Sequence, residues 1–127
     1  MENTNYRVTI KETSRELSPL ERVKFKDTTD CVRLDAELDN VEAILVKVTA
    51  FVVLEVENDK AENKAYKNFV LVDENGTRYL TSSQTFFNTF LNIYDELRGC
   101  EEDWQLKIFK VPSKNYTGKK FITCSIA

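Results

Sequence analysis

The stretch "VEAILVKVTAFVVLEVE", residues 41–57, decides the fold. Ile44, Val46, Val48, Ala50, Val52, Leu54 and Val56 share one parity, while the other mixes Lys47, Thr49, Glu55 and Glu57 with Leu45, Phe51 and Val53. Period two is the signature of a strand. The run is far longer than the usual strand of about 5–6 residues, so it is read as one strand that bends or bulges and serves two sheet segments. Within it, "AILVKVTAFVVL" (43–54) is the longest apolar stretch of the chain, and Lys47 interrupts it. That is too short to span a bilayer and no secretory signal precedes it, so a soluble, cytoplasmic protein is expected.

Downstream of a polar loop, "NFVLVDENGTRYLT" (68–81) holds two alternating runs around Asn75-Gly76. That dipeptide accepts positive φ at both central positions of a type I′ turn. The reading is a two-residue hairpin pairing Leu71 with Leu80 and Val72 with Tyr79. Phe69, Leu71 and Leu80 then face one way; Val70, Val72, Tyr79 and Tyr66 face the other. "SSQTFFNTFLNIYDELRG" (82–99) changes to helical period, with Phe86, Phe90, Ile93 and Leu97 as a stripe that Phe87, Leu91 and Tyr94 widen. Ser82 or Ser83 caps its start and Gly99 its end. So many aromatics on one side are core, not a ligand box.

A second hairpin closes the chain. "WQLKIFKV" and "KFITCSI" alternate, and matching Ile108 with Ile122 and Leu106 with Cys124 sets Pro112 opposite Gly118, leaving Ser113 to Thr117 as the tip. The other face carries Phe109 beside Phe121 and Lys107 beside Thr123. Before residue 41 the signals are shorter: "YRVTIKE" alternates like a strand, "SPLERV" has Ser18 before Pro19 as in a capped first helical turn, and "DCVRLDAELD" reads as a short strand or turn.

Composition removes several chemistries. There is no histidine, which excludes Ser-His-Asp triads, Cys-His dyads and His-containing zinc modules. The three cysteines, Cys31, Cys100 and Cys124, form neither a C-x-x-C pair nor a regular disulfide framework, so reduced thiols are expected. No P-loop, G-x-G-x-x-G or calcium-loop pattern occurs. No enzyme activity, metal or cofactor is expected.

Net charge is −3, yet its distribution is uneven. Residues 104–127 contain Lys107, Lys110, Lys114, Lys119 and Lys120 and no acid, and Asp103 is the last acidic residue, so nothing nearby is expected to neutralise those lysines. From residue 41 the element order is long strand, loop, strand, turn, strand, helix, strand, loop, strand. That order fits a mainly β domain, residues 41–127, built as a five-stranded Greek-key barrel of the OB type with one helix between its third and fourth strands. Residues 1–40 are an N-terminal extension packed on it. An α+β sheet with one packed helix is the alternative. In an OB barrel ligands lie across the outer face of strands 2 and 3, between two loops that here are residues 58–67 and 112–119. The candidate binding residues are Lys64, Tyr66, Lys67, Tyr79, Lys107, Lys110, Lys114, Asn115, Tyr116, Lys119 and Lys120, with Lys60 beside the first of them. Ammonium groups suit phosphates and tyrosine faces suit bases of any identity, so single-stranded DNA is the expected partner, with RNA left open.

The succession of a hairpin ending "YLTSS", an aromatic-rich helix and a hairpin "KVPSKNYTGKKFITC" resembles the small OB-fold single-stranded-DNA-binding proteins of bacteriophages and mobile elements of Gram-positive bacteria. The likeness runs from about Val41 to Ile126, about two thirds of the chain. It implies sequence-tolerant strand coating in replication or recombination, with Lys114, Asn115, Tyr116, Lys119 and Lys120 at the family's loop positions. The ending "CSIA" lacks the acidic, Phe-terminated tail through which bacterial housekeeping proteins of this function recruit partners. The competing reading is a protein-interaction or assembly domain docking through the Phe109/Phe121 face. Those two phenylalanines are expected to pack under the N-terminal segment or against a second subunit, as in a homodimer.

Overall fold

A computed structural model of the chain describes residues 6–58, 65–112 and 120–127. Its elements are β1 (Tyr6–Thr13), α1 (Pro19–Lys26), β2 (Val32–Arg33), α2 (Leu34–Glu37), β3 (Ala43–Val46), β4 (Val48–Asn58), β5 (Ala65–Asp73), β6 (Arg78–Thr81), α3 (Gln84–Leu97), β7 (Leu106–Pro112) and β8 (Lys120–Ile126). The fold is mainly β and has two sheets, ordered β1-β4-β5-β6-β2 and β3-β7-β8. Among the described residues no strand pair closes them into one barrel. No helix among those residues is long and apolar enough to cross a membrane.

The long apolar run is divided as its length requires. β3 belongs to one sheet, β4 to the other, and the junction is Lys47 followed by a bulge between Val48 and Ala50. The Thr49 hydroxyl donates toward the Val72 and Asp73 carbonyls, at 3.2 and 3.3 Å, and so supplies a donor where the ladder is interrupted. An extra residue in a strand exchanges the faces of everything beyond it. Ile44, Val46 and Val48 therefore share a core with Phe51 and Val53, whereas Ala50, Val52 and Leu54, of the same parity as the first three, enter a different one.

The first core lies between the two sheets and is filled by α3. Phe86, Phe87, Phe90 and Tyr94 are buried against Phe51, Phe69 and Leu71 of one sheet and Leu106, Ile108, Ile122 and Cys124 of the other. Phe69 stacks on Phe87 at 4.2 Å between ring centres, and Phe51 meets Phe87, Phe90 and Tyr94 edge-on. Each fully buried phenylalanine contributes roughly 1.5–3 kcal/mol from water exclusion. Ser83 is the cap, its hydroxyl accepting the Phe86 N–H at 3.1 Å, and Gly99 follows the helix at φ +83°.

The second core lies on the opposite face of the five-stranded sheet and is closed by the N-terminal segment. Phe25 and Cys31 are buried there over Val52, Leu54, Val70, Val72 and Leu80. The capped first turn read at Ser18-Pro19 is the start of α1, where Glu21 in addition completes a reciprocal capping box with Ser18. Arg78 anchors the far end by donating to the Lys24 and Asp27 carbonyls at 2.7 and 2.9 Å. β1 forms one edge of the sheet through β4, and β2 pairs parallel to β6 at the other.

Both hairpin registers differ from expectation. Leu71 faces Tyr79 and Val70 faces Leu80, one residue from the predicted pairing. The cause is the turn. Gly76 alone has positive φ, the Asp73 amide donates to the Thr77 carbonyl, and the Asp73 carboxylate accepts the Asn75 and Thr77 amides at 2.9 and 2.8 Å. Asp73 thus selects a longer turn with a glycine bulge over the two-residue type I′ form. In the last hairpin Ile108 faces Cys124 and Pro112 faces Lys120, a slip of two residues that keeps every side chain on its predicted face.

Candidate nucleic-acid interface

Lys60, Lys64, Lys114, Asn115, Tyr116 and Lys119 lie outside the described residues. The others do not share one surface. Tyr66 and Lys67 follow each other on β5 and so face opposite sides of the sheet. Tyr66 is 44% exposed, on the side of Val70 and Val72. Lys67, also exposed, stands across from Glu55, whose carboxylate already pairs with Lys11 at 3.3 Å.

Tyr79 does not lie on the outer face. The one-residue register shift turns it to the side of Phe69 and Leu71, where it packs partly against the aromatic core and its hydroxyl donates to Asp73 at 3.3 Å. Burial, with Asp73 adding to it, raises its pKa. The outer face of β5 and β6 meanwhile lies under Phe25 and Cys31. The N-terminal segment therefore occupies much of the surface that an OB-type reading assigns to the ligand, leaving Tyr66 and Asn68 at its open end.

On the second sheet, Lys110 is engaged rather than free. Its ammonium donates to the Asp35 carbonyl and the Asp39 carboxylate, both at 3.0 Å. The expectation that nothing neutralises the C-terminal lysines fails here. Residues 35–42 carry Asp35, Glu37, Asp39 and Glu42, and chain topology brings that run beside Lys110 and Lys120 of the last hairpin. The signal was in the sequence, as an acidic run matching a basic one. A cleft of about 650 Å³ forms there, lined by Asp39, Asn40, Glu42, Lys110 and exposed Lys120. Asp35 also accepts the Thr81 hydroxyl at 3.1 Å, so α2 ties the end of β6 to β7. A smaller cleft of about 230 Å³ beside it includes Arg33, Asp35, Asn68 and Thr81.

The outer face of the three-stranded sheet carries the remaining candidates. Lys107 is exposed, its ammonium 5.5 Å from the centre of the Phe109 ring. Phe121 is 43% exposed and Leu45 55%. Among the described residues the N-terminal segment covers the other sheet and does not shield Phe121. Leu45 of β3, opposite Lys107, and Val111 of β7, opposite Phe121, extend this face.

No protein-family model matches the chain, and comparison with curated proteins and with solved structures returns no match.

Proposed function

We propose that the protein is a non-catalytic, largely sequence-independent single-stranded-DNA-binding module of the OB type, acting in phage or mobile-element replication or recombination in the cytoplasm. The OB reading is supported by one bent strand shared between two sheets, by the β4–β5, β5–β6, β3–β7 and β7–β8 pairs, and by a helix between β6 and β7 packed into the space they surround. Segment 32–37 links the two sheets, pairing with β6 through its backbone and accepting Lys110 of β7 at the Asp35 carbonyl.

The observation that carries the binding reading is that an exposed cation and an exposed aromatic ring are consecutive residues, on alternate faces, at the start of each of two strands that follow lysine-bearing loops. Tyr66 and Lys67 stand at the start of β5; Lys120 and Phe121 stand at the start of β8. Cations there neutralise phosphates and rings stack on bases without regard to sequence. The test is fluorescence anisotropy with labelled oligo-dT and with a duplex of equal length across a salt series. Preference for oligo-dT, with log affinity falling linearly against log salt, is expected. Salt-independent binding, or equal affinity for the duplex, would remove this reading.

A protein-docking or homodimer role is the second reading, favoured by the exposure of Leu45 and Phe121 on one face.

A further inference from the structure

The outer face of the three-stranded sheet has no covering element among the described residues. Leu45, Lys107, Phe109, Val111, Phe121 and Thr123 alternate outward against buried Leu106, Ile108, Ile122 and Cys124. β3, β7 and β8 contain no acidic residue at all. We infer that this face, rather than the outer face of β5 and β6, is the track on which bases of single-stranded nucleic acid stack; the inference rests on the strand-binding function proposed above.

Charge selects the occupant. A two-fold dimer sets a patch against its own copy, so Lys107 of one molecule would meet a surface whose strands offer no carboxylate. A polyanion offers phosphates to the same ammonium. The rings suit bases in turn. Phe109 faces Thr123 and Phe121 faces Val111, which makes the two phenylalanines diagonal neighbours, about 7–8 Å apart in an antiparallel pair. Each can therefore meet a different base, with Lys107, beyond Phe109 on the side away from Phe121, placed to meet a phosphate flanking the base on Phe109. The β5–β6 face has no comparable platform, since Phe25 and Cys31 cover it and Tyr79 turns inward.

The experiment compares the wild-type protein with Phe121→Leu, Phe121→Trp, Lys107→Ala and Tyr66→Ala, using fluorescein-labelled oligo-dT anisotropy alongside sedimentation velocity. Phe121→Leu keeps an apolar side chain and removes the ring; a loss of about 5- to 150-fold in affinity, restored by Phe121→Trp, is expected. Lys107→Ala should flatten the salt slope by about 0.7. If wild type binds oligo-dT and Phe121→Leu binds equally well, the track lies elsewhere and this inference falls while strand binding stands. Dissociation of a dimer by the Phe121 variants, with binding unchanged, would assign the face to a second copy and also overturn it. If wild type binds no oligo-dT, both proposals fall together.

Discussion

The Lys110 ammonium sits 3.0 Å from the Asp39 carboxylate, which joins a lysine of the last hairpin to an acid from the segment before the long strand. The lysine is largely shielded and the acid exposed, so the pair contributes little to stability, under about 1 kcal/mol. Its effect on a polyanion is larger. If the other four C-terminal lysines contact phosphates while Lys110 stays on Asp39, the salt slope for single strands should be about −2.8, taking about −0.7 per contact. Asp39→Asn should leave Lys110 held by no opposite charge, only by the Asp35 carbonyl, and so let it turn to a phosphate, steepening the slope toward about −3.5 and tightening binding at low salt, with thermal stability almost unchanged. An unaltered slope would show that Lys110 meets no phosphate even when released.

Tyr66 and Tyr79 look equivalent in sequence and should separate cleanly in binding. Tyr66→Ala removes a ring that is 44% exposed on the outer side of β5; it should weaken oligo-dT binding by about 1–3 kcal/mol if the strand crosses β5 and leave affinity unchanged if the strand follows the β3–β7–β8 face, with little change in folding free energy either way. Tyr79→Phe removes only the bond to Asp73 and should cost about 0.5–1.5 kcal/mol of stability with no change in affinity. Denaturant titration and anisotropy on the same two variants check both halves.

The elements from residue 41 onward were legible because each carries a local pattern: the long strand, the aromatic helix and the alternating final hairpin all occur where periodicity put them. The faces were less legible. A single inserted residue at Thr49 exchanges the two sides of the long strand, and periodicity counts parity without seeing a bulge. The Asp73 carboxylate moves the first hairpin by one residue and carries Tyr79 inward, although Asn75-Gly76 is the strongest short-range signal for a different turn. The role of residues 32–42 was hidden from local pattern for another reason. β2 is only two residues long and is defined by its parallel partner β6, and Asp39 matters through a lysine far along the chain. Local propensity carries no information on either.

The turn itself is testable. Gly76 has φ +83° and open space where a Cβ would sit, so Gly76→Ala should destabilise through backbone conformation alone, by about 1–2 kcal/mol. Asn75 has no positive φ, so Asn75→Ala should be close to neutral. A type I′ turn would penalise both substitutions. Denaturant midpoints at constant slope of unfolding free energy against denaturant distinguish the two turns.

Stability at low pH should depend on Glu21. The Arg15 guanidinium at 2.8 Å, followed by the Ser18 amide of the capping box, lowers the Glu21 carboxyl from 4.5 to about 2. A carboxyl depressed in the folded state binds its proton more readily when unfolded. Its contribution is therefore complete above pH 4.5 and disappears as pH falls toward about 2. Glu21→Gln keeps a side chain that can complete the capping box but removes the charge that Arg15 meets. Thermal melts between pH 6 and pH 2.5 should show wild type more stable than Glu21→Gln at the upper end, with the difference shrinking steadily below pH 4.5. A difference that persists undiminished at pH 2.5 would mean that hydrogen-bond geometry, and not the charge on Glu21, fixes the start of α1 over the sheet.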